Sequence, residues 1–456
     1  MELTPQILQQ QKSFFRSGKT LPLSFRLEQL SKLERMIRVS ENKILAAVKA
    51  DLGKPALEAW TSEIAMVLEE IDVMKKKLSS WAKPRSVSLP LALQPANAQL
   101  RPDPYGQVLI MSPWNYPFQL LVLPAVGAMA AGNVLTLKPS EFAPHTSKLI
   151  ADLFQDNFPS EYIQVVEGEL EVNKQLLAHN FDYIFFTGSP QVGKIVMTAA
   201  AQHLTPVTLE LGGKSPCLVD RAVNIKVAGR RIAWGKFFNT GQTCVAPDYL
   251  LVHKSVRKEM QHAIVDAIEE FYGKDAKQSP DYGRIITNRH YDRLVGYLKD
   301  GEILYGGQFD SDQKYLSPTL LINPKIDSPV MTEEIFGPIL PIVEYEHLRE
   351  ALEIIDRQPN PLALYLFTTD KSVEKTVLES VAFGGGCVND CIVHLATSQL
   401  PFGGIGNSGM GRYHGKYSFE TFSHMKAVLK KPTWSDPKFR YPPYKDNLKW
   451  FRFLLD

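Results

Sequence analysis

The first part of the chain carries apolar residues at every third or fourth position, the spacing of a helix with one buried face. These positions are Leu27, Leu30, Leu33 and Ile37, followed by Ile64, Val67, Ile71 and Met74. Residues 5–82 are therefore predicted to be helical. Gly53, Lys54 and Pro55 are predicted to end one helix before Trp60 opens the next.

The pattern changes between Ser86 and Arg101, where proline and leucine alternate with small residues. This composition suits an extended segment that leaves the first domain. Two interpretations remain open, a pair of strands that projects toward a partner subunit and a surface linker.

From Gly106 onward, short apolar runs alternate with longer runs that are predicted to be helices. The predicted strands are Val108–Met111, Val134–Leu137, Ile163–Val166, Tyr183–Phe186 and Val207–Leu209. The predicted helices are Gln119–Ala131, His145–Phe154 and Lys194–Gln202. Strands that alternate with helices imply parallel pairing through right-handed crossovers, so we predict an α/β fold with a doubly wound, Rossmann-like sheet.

Polar residues or glycines follow four of these predicted strands, at the edge where open α/β sheets bind ligands. They are, in chain order, Asn115, Lys138 with Glu141, Gly188 with Ser189, and Glu210. Ser189 is predicted to cap the next helix and Pro190 to be its first residue. Gly188 would let an anion or a pyrophosphate approach the free amides of that helix start. The Gly-x-Gly-x-x-Gly fingerprint of dinucleotide sites is not present here.

A second α/β stretch is predicted from Ser215 to about Val393. It holds Cys244, which lies in a loop between a helical run, Val223–Phe238, and a strand, Asp248–His253. Gly241 and Pro247 shape this loop, and its polar neighbours favour an exposed, reactive thiolate. A lone cysteine is more often an inert core residue, so both interpretations stand at this point.

Further helices are predicted at Ser255–Tyr272 and near Tyr291–Leu298. The glycine-dense run at 401–411 is predicted to be a loop that wraps a site or another backbone. The apolar tail, Tyr444–Leu455, could lie on a membrane surface, cover a substrate funnel or pack on a partner subunit. Packing within the protein is the interpretation that we favour for it.

Composition narrows the class of protein. The chain has 456 residues, 44% of them hydrophobic and 22% charged, and a net charge of +2, which fits a globular protein without a nucleic-acid partner. Its cysteines, Cys217, Cys244, Cys387 and Cys391, have the spacing of neither a disulfide framework nor a zinc site, and we expect no metal. The chain carries no predicted signal peptide and no apolar run of membrane-spanning length, so a reducing cytoplasm is expected.

Five motifs, in this order, resemble the NAD(P)-dependent aldehyde dehydrogenases. They are Pro113-Trp114-Asn115-Tyr116-Pro117, Phe186-Thr187-Gly188-Ser189, Leu209-Glu210-Leu211-Gly212-Gly213, Gly241-Gln242-Thr243-Cys244 and Glu334-Ile335-Phe336-Gly337-Pro338. The residues after Cys244, the glycine-dense run and Arg440-Tyr441-Pro442-Pro443 are similar to the class 3, fatty-aldehyde branch.

The resemblance implies three parts and a tail. Residues 1–85 and 106–210 would form the NAD(P)-binding domain and residues 211–393 the catalytic domain. A small β element for oligomerisation would comprise residues 86–105 and about 419–433, and residues 434–456 would be the tail. A homodimer is expected from this resemblance.

The resemblance also implies the chemistry, oxidation of a medium-chain, long-chain or otherwise apolar aldehyde to its acid. Cys244 would form a thiohemiacetal and then a thioester, with the Asn115 side chain and the Cys244 amide binding the oxyanion. Glu210 would be the general base that activates water. The alternatives are an acylating enzyme that uses coenzyme A and a catalytically idle scaffold.

For the cofactor, the resemblance places Lys138 and Glu141 at the adenosine ribose and Gly188 and Ser189 at the pyrophosphate. Glu334 would hold the nicotinamide ribose, and Phe336 would pack at the nicotinamide. A carboxylate at Glu141 would bind a 2′-hydroxyl and repel a 2′-phosphate, and Lys138 would partly offset that repulsion. We therefore expect NAD to be preferred and NADP to be tolerated.

Overall fold

The computed structural model describes residues 5–444 together with Leu448, Lys449 and Arg452. Its helices are α1 Pro5–Arg16, α2 Leu23–Leu52, α3 Ala56–Ala59, α4 Met66–Trp81, α5 Gln119–Ala131, α6 Pro144–Asn157, α7 Leu170–Ala178, α8 Pro190–Ala201, α9 Ile225–Phe237, α10 Arg257–Tyr272, α11 Asn288–Tyr297, α12 Pro329–Thr332, α13 Leu348–Asp356, α14 Lys371–Ser380 and α15 Lys416–Thr421. A π-helical turn, Trp60–Ala65, joins α3 to α4.

The strands follow the same alternation. They are β1 Arg85–Val87, β2 Asn97–Pro104, β3 Gln107–Met111, β4 Val134–Lys138, β5 Ile163–Val165, β6 Tyr183–Gly188, β7 Val207–Leu211, β8 Pro216–Val219, β9 Tyr249–His253, β10 Glu302–Tyr305, β11 Phe309–Asp310, β12 Tyr315–Leu316, β13 Thr319–Ile322, β14 Ile339–Tyr345, β15 Ala363–Phe367, β16 Gly385–Val388, β17 Gly409–Met410 and β18 Ser423–Lys430.

The first sheet has the strand order β17-β7-β6-β3-β4-β5, and the pairs from β7 to β5 are all parallel. The order reverses beside β3, because the chain returns from β5 to place β6 on the other side of that strand. A crevice that suits a ligand lies at such a switch point, beyond the carboxyl ends of the strands. The predicted doubly wound sheet is therefore confirmed.

The second sheet has the order β10-β13-β14-β9-β8-β15-β16 and is parallel except for β10 at its edge. Strands β3, β4 and β15 are buried along their whole length, as parallel strands covered by helices on both faces must be. This burial explains why their sequences are largely apolar. Strands β3 and β4 were predicted from such runs, whereas β15 was not.

A third, antiparallel sheet joins β1, β2 and β18. The segment at residues 86–101 is thus part of a strand pair and not a linker. Strand β18 forms the open edge of this sheet, and all but its first residue are exposed. The division of the chain into three functional parts and a tail remains a prediction.

The helix stop predicted after α2 is present. Gly53 takes a left-handed conformation, with φ of 64°, and its amide donates to the Lys49 carbonyl. This geometry ends the helix in the usual way for glycine. Residues 5–82 are not helical throughout, however, because residues 17–22 and 53–55 interrupt the helices.

The described helices include none with the length and apolar character needed to cross a bilayer. The apolar tail, Tyr444–Leu455, lies mostly outside the described residues. Its sequence left open contact with a membrane, a substrate or a partner, and the residues outside the description include Trp450, Phe451 and Phe453.

Candidate active site

A cavity of about 290 Å³ lies where the carboxyl edge of the first sheet faces the amino edge of the second. Seven of the predicted site residues line it: Asn115, Gly188, Ser189, Glu210, Cys244, Glu334 and Phe336. Lys138 and Glu141 do not line it, since Lys138 is the last residue of β4 and Glu141 follows the end of that strand. The structure therefore brings the predicted catalytic and nicotinamide-side residues together around one space.

The loop that carries Cys244 owes its shape to an unusual run of backbone angles. Asn239, Thr240 and Gly241 all have positive φ, at 52°, 56° and 73°. Glycine is required at 241 because a Cβ there would clash with the Gly337 carbonyl. The sequence indicated only Gly241 and Pro247 as the residues that shape this loop, and it missed the two non-glycine residues in the left-handed region.

The thiol of Cys244 is not the stabilised thiolate that the sequence suggested. Burial raises its pKa to about 12, and the negative charges of Glu334 and Glu210 add to that increase. The neighbours Gln242 and Thr243 are polar but buried, and their side chains bond to other partners. At neutral pH the thiol therefore keeps its proton until a base removes it.

Asn115 lies in the turn after β3, with its side chain almost fully buried. Its Nδ2 donates to the Gln242 carbonyl at 3.1 Å, and its Oδ1 has no hydrogen-bond partner. The amide thus reaches the backbone two residues before Cys244. A second N–H on the same nitrogen remains for an oxyanion that forms on an adduct of the thiol.

Glu210 differs from its predicted place in one respect. It was expected in a turn after the strand, but it lies within β7, paired with Thr187 of β6 on one side and with Gly409 of β17 on the other. Strand β17 comes from the glycine-dense run, which here wraps another backbone. The backbone of Glu210 is therefore fixed, and only its side chain is free to turn.

The Glu210 carboxyl is buried, and neither oxygen has a hydrogen-bond partner. Burial raises its pKa well above the ordinary range. A buried carboxyl without partners costs free energy and is common where a proton is to be exchanged. This environment is suited to a general base that takes a proton from a thiol or from water.

Glu334 sits in the segment before β14, and its backbone is held by residues whose contacts no sequence pattern indicates. Lys214 and Asp248 form a buried ion pair, with Nζ and Oδ2 2.6 Å apart. The lysine also donates to the Glu333 carbonyl, and the aspartate accepts from the Ile335 amide. Asp248 is one of the residues that carry the family resemblance. Its partner, Lys214, is distant along the chain, and motif spacing does not reveal that the two residues pair.

The other side of this segment is held by α11. Arg293 donates to the carbonyls of Glu334 and Ile335, at 3.0 and 2.7 Å. His290 lies 2.7 Å from the Phe336 carbonyl through Nε2. Phe336, at φ of 54°, is thus held in a conformation that a non-glycine residue adopts only under constraint.

The Glu334 side chain projects toward the cavity. Its pKa is raised to about 8, first by burial and then by the charge of Asp248. Its Oε1 has no hydrogen-bond partner, and a Cβ at Gly212 would clash with the carboxylate. An enclosed, unpartnered acceptor fits a ligand hydroxyl such as that of a ribose.

The pyrophosphate side also has the predicted local structure. Ser189 caps α8, its Oγ accepting from the Val192 amide at 3.3 Å, and Pro190 is the first helical residue. Lys138 donates to the Pro139 carbonyl at 2.7 Å and lies 3.4 Å from the Glu141 carboxylate. The start of α8 and the pair of Lys138 and Glu141 lie along the same edge of the first sheet. This arrangement is suited to binding a dinucleotide.

Among the described residues, no cluster of three or more acidic, histidine or cysteine side chains is arranged to hold a metal ion. The four cysteines are free. Cys387 lies 3.6 Å from Nδ1 of His394.

Comparisons with known proteins agree with this geometry. The sequence model of the aldehyde dehydrogenase family matches residues 4–428. The 4,4'-diaponeurosporen-aldehyde dehydrogenase of Staphylococcus aureus is 48% identical over 99% of both chains. A dimeric, NADP-preferring aldehyde dehydrogenase of Rattus norvegicus is 48% identical over 94% of this chain and 95% of its own. Aldehyde dehydrogenase family 3 member A2 of Mus musculus is 47% identical over 97% and 92%.

Solved structures give the same result. A substrate-bound AldH of Staphylococcus aureus superimposes with a TM-score of 0.98 over all of both chains, at 48% identity. A gamma-glutamyl-gamma-aminobutyraldehyde dehydrogenase of Burkholderia cenocepacia gives 0.85 at 27% identity, over 93% of this chain and 87% of its own. The chain belongs to the aldehyde dehydrogenase family, with class 3 members among its relatives, and is an NAD(P)-dependent enzyme that oxidises aldehydes.

Proposed function

We propose that the substrate is an apolar aldehyde of medium or long chain, oxidised to the carboxylic acid. The observation that carries this proposal is the lining of the cavity beside Cys244. Its apolar members are Met66, Trp114, Leu120, Phe238, Ile392, Leu395 and Phe402. Apolar walls favour a hydrocarbon chain over a charged or hydroxylated one. The relative from Staphylococcus aureus that is named for 4,4'-diaponeurosporen-aldehyde supports this choice.

In the first half-reaction, Cys244 loses its proton to solvent water, and its sulfur adds to the aldehyde carbon. The oxyanion of the thiohemiacetal is bound by the Asn115 amide and the Cys244 backbone N–H. A bound nicotinamide would supply the hydride acceptor, and Cys244 would then carry the acyl group as a thioester. Each preformed donor is expected to contribute about a hundredfold or more in rate.

In the second half-reaction, Glu210 takes a proton from water as the water oxygen attacks the thioester carbon. The C–S bond breaks, the acid leaves and Cys244 regains a proton. An acylating enzyme that passes the thioester to coenzyme A would not need this base. The buried, unpartnered Glu210 therefore supports hydrolysis over the coenzyme A alternative.

For the dinucleotide, Gly188 and Ser189 would receive the pyrophosphate at the start of α8, and Glu334 would accept from the nicotinamide ribose. Phe336 would pack at the nicotinamide end. Lys138 and Glu141 would take the adenosine ribose, and the Glu141 charge supports a preference for NAD. Lys138, 3.4 Å away, offsets part of that charge, which supports the use of NADP as well. The NADP-preferring relatives make a large preference for NAD unexpected.

For assembly, the proposed partner is a second copy of the chain. Its contact would be the third sheet, β1, β2 and β18, whose β18 edge is open in a single chain. Exposed apolar side chains on β18, Met425, Val428 and Leu429, support this contact. The proposed parts are those the resemblance implied: residues 1–85 and 106–210 for the dinucleotide, residues 211–393 for catalysis, residues 86–105 with about 419–433 for assembly, and residues 434–456 as the tail.

We also propose a cytoplasmic enzyme, in which the tail is the segment available for any peripheral membrane contact. Four free cysteines support a reducing compartment. Cell fractionation of the full chain and of a chain ending at Pro443 would test both points.

The test of the function compares NADH formation from hexanal and hexadecanal, without coenzyme A, in the parent and in Cys244→Ala. Acid and NADH in equal amounts, abolished by the substitution, are the expected result. Persistence of NADH formation in Cys244→Ala would overturn the covalent mechanism. NADH formation that requires coenzyme A and gives the acyl-coenzyme A thioester in place of the acid would establish the acylating alternative.

A further inference from the structure

Two opposite charges are completely enclosed near the cavity and have no part in the chemistry described above. Lys54 follows α2, and Glu63 lies in the π-helical turn, Trp60–Ala65. Their Nζ and Oε1 atoms are 2.7 Å apart, and both side chains have no exposed surface. Such a pair is rarely worth more to stability than well-packed apolar residues, because both ions lose their hydration.

The pair forms hydrogen bonds with the backbone of the turn that carries Asn115. Nζ of Lys54 donates to the Asn115 carbonyl at 3.2 Å. The other oxygen of Glu63 accepts from the amides of Phe118 and Gln119, at 3.1 and 3.0 Å. One ion therefore holds the turn at the residue that bears the oxyanion donor, and the other holds it where α5 begins.

The same turn is joined to the loop of the nucleophile. Lys54 Nζ lies 4.1 Å from the centre of the Tyr116 ring, whose hydroxyl is 2.6 Å from that of Thr243. Asn239 Nδ2 donates to the Asn115 carbonyl as well, at 2.9 Å, and to the Gln242 carbonyl at 3.1 Å. The Asn115 carbonyl is thus shared between Lys54 and the loop of Cys244.

We propose that Lys54 and Glu63 are positioning residues for the aldehyde addition, which fix the oxyanion donor Asn115 relative to Cys244. The proposal rests on the proposed function, since it assumes that Asn115 binds an oxyanion on a Cys244 adduct. An oxyanion donor must be held to within about half an ångström, and a displacement of about 1 Å can cost a hundredfold in rate. The charged pair supplies directional bonds to three backbone groups of one turn, which apolar packing would not.

The principal variant is Lys54→Met/Glu63→Leu, which removes both charges and keeps apolar volume in the space. Replacing both ions avoids leaving one charge buried alone, so this variant is expected to fold. The readout is the burst of p-nitrophenolate from p-nitrophenyl acetate. This ester acylates a cysteine through an oxyanion without any dinucleotide, so the burst reports on Asn115 and Cys244 apart from the cofactor.

We expect the burst rate to fall by at least about tenfold, with the affinity for NAD changed less than about twofold. Since the pair acts through Asn115, the same double substitution in an Asn115→Ala background should cost less than about threefold more. A folded variant whose burst rate is within twofold of the parent overturns the proposal. So does an equal loss in both backgrounds, which would indicate a general structural effect.

Glu63→Gln provides a second variant that keeps an acceptor for the amides of Phe118 and Gln119 while removing the charge. It is expected to lose burst rate in the same Asn115-dependent manner, and a burst rate equal to the parent's overturns the proposal. Failure of both variants to fold would assign the pair to fold stability and overturn it too. Lys148→Met, at an exposed pair with Asp152, is the matched control, and its burst rate should be unchanged.

These experiments distinguish failure of this inference from failure of the proposed function. Loss of the burst in Cys244→Ala together with a normal burst in Lys54→Met/Glu63→Leu would overturn this inference alone. A burst that survives in Cys244→Ala would overturn the assigned nucleophile, and this inference with it.

Discussion

The hydroxyl of Tyr116 lies 2.6 Å from the hydroxyl of Thr243, and each of these residues adjoins a candidate catalytic side chain. Tyr116 follows Asn115, and Thr243 precedes Cys244. This buried hydrogen bond is one of those that join the oxyanion turn to the nucleophile loop, and it spans 127 positions of the chain. The relative placement of donor and nucleophile depends on this bond as well as on the backbone.

Tyr116→Phe should reduce stability, because it leaves the buried Thr243 hydroxyl without a partner. The expected loss in the free energy of unfolding is about 1–3 kcal/mol. Tyr116→Phe/Thr243→Val removes both hydroxyls and should recover most of that loss. Urea unfolding of the parent and the two variants measures the effect, and equal losses in the single and the double variant would contradict it.

Glu210→Gln should separate the two half-reactions. Hydride transfer would continue once, but thioester hydrolysis would slow by about a hundredfold or more without its base. Rapid mixing should show a burst of NADH followed by a slow steady state, and mass spectrometry should find the acyl group on Cys244. Exposed Glu353, changed to Gln, is the control. If the burst itself disappears and no acyl group accumulates, Glu210 acts before the thioester.

The reactivity of Cys244 toward iodoacetamide should rise with pH well beyond neutrality in the enzyme without cofactor. The pKa of about 12 means that the thiolate fraction increases about tenfold for each pH unit below that value. Labelling rates from pH 7 to 10, in a Cys387→Ser background to remove the other partly exposed thiol, measure this dependence. A plateau reached below pH 9 would show that the thiolate is stabilised in the free enzyme.

Glu141→Gln should shift cofactor choice toward NADP. The substitution removes the charge that repels a 2′-phosphate and leaves Lys138 without its acidic partner. We expect kcat/KM for NADP to rise by roughly tenfold relative to that for NAD, since the change in charge interaction is on the order of 1 kcal/mol. Parent activity that is already higher with NADP would contradict the proposed preference for NAD.

A charge on the open edge of the third sheet should disfavour assembly. Leu429 is 48% exposed on β18, and Leu429→Asp places a carboxylate in the proposed contact. Sedimentation should give a dimer for the parent and a shift to monomer for the variant, while Leu304→Asp, exposed on β10, should leave the dimer intact. A parent that sediments as a monomer would refute the proposed contact.

Much of the first sheet was predictable because its parallel strands are largely apolar. The bounds of β3, β4 and β5 agree with the predicted strands to within one residue, and the cap at Ser189 follows from local chemistry. The carboxyl ends of these strands then indicated which polar residues to consider, since such ends share one edge of a sheet.

What the sequence could not reveal depends on partners distant along the chain. Strand β17 has two residues, one of them a glycine, so no periodicity marks it. The buried pair of Lys54 and Glu63 was hidden because Lys54 was explained as part of a helix stop. Cys244 illustrates the same limit, since its polar sequence neighbours face other groups and do not stabilise a thiolate.

The pairing of β17 with β7 has a consequence for the order in which this enzyme is made. Glu210 is synthesised before the midpoint of the chain, but the strand that covers it contains Gly409 and Met410, which leave the ribosome late. Contacts between such distant positions form slowly, and early domains fold first. The nascent first sheet therefore has an open edge at β7, where the backbone of Glu210 has no partner strand on that side. Catalytic competence can arise only after translation has passed Met410.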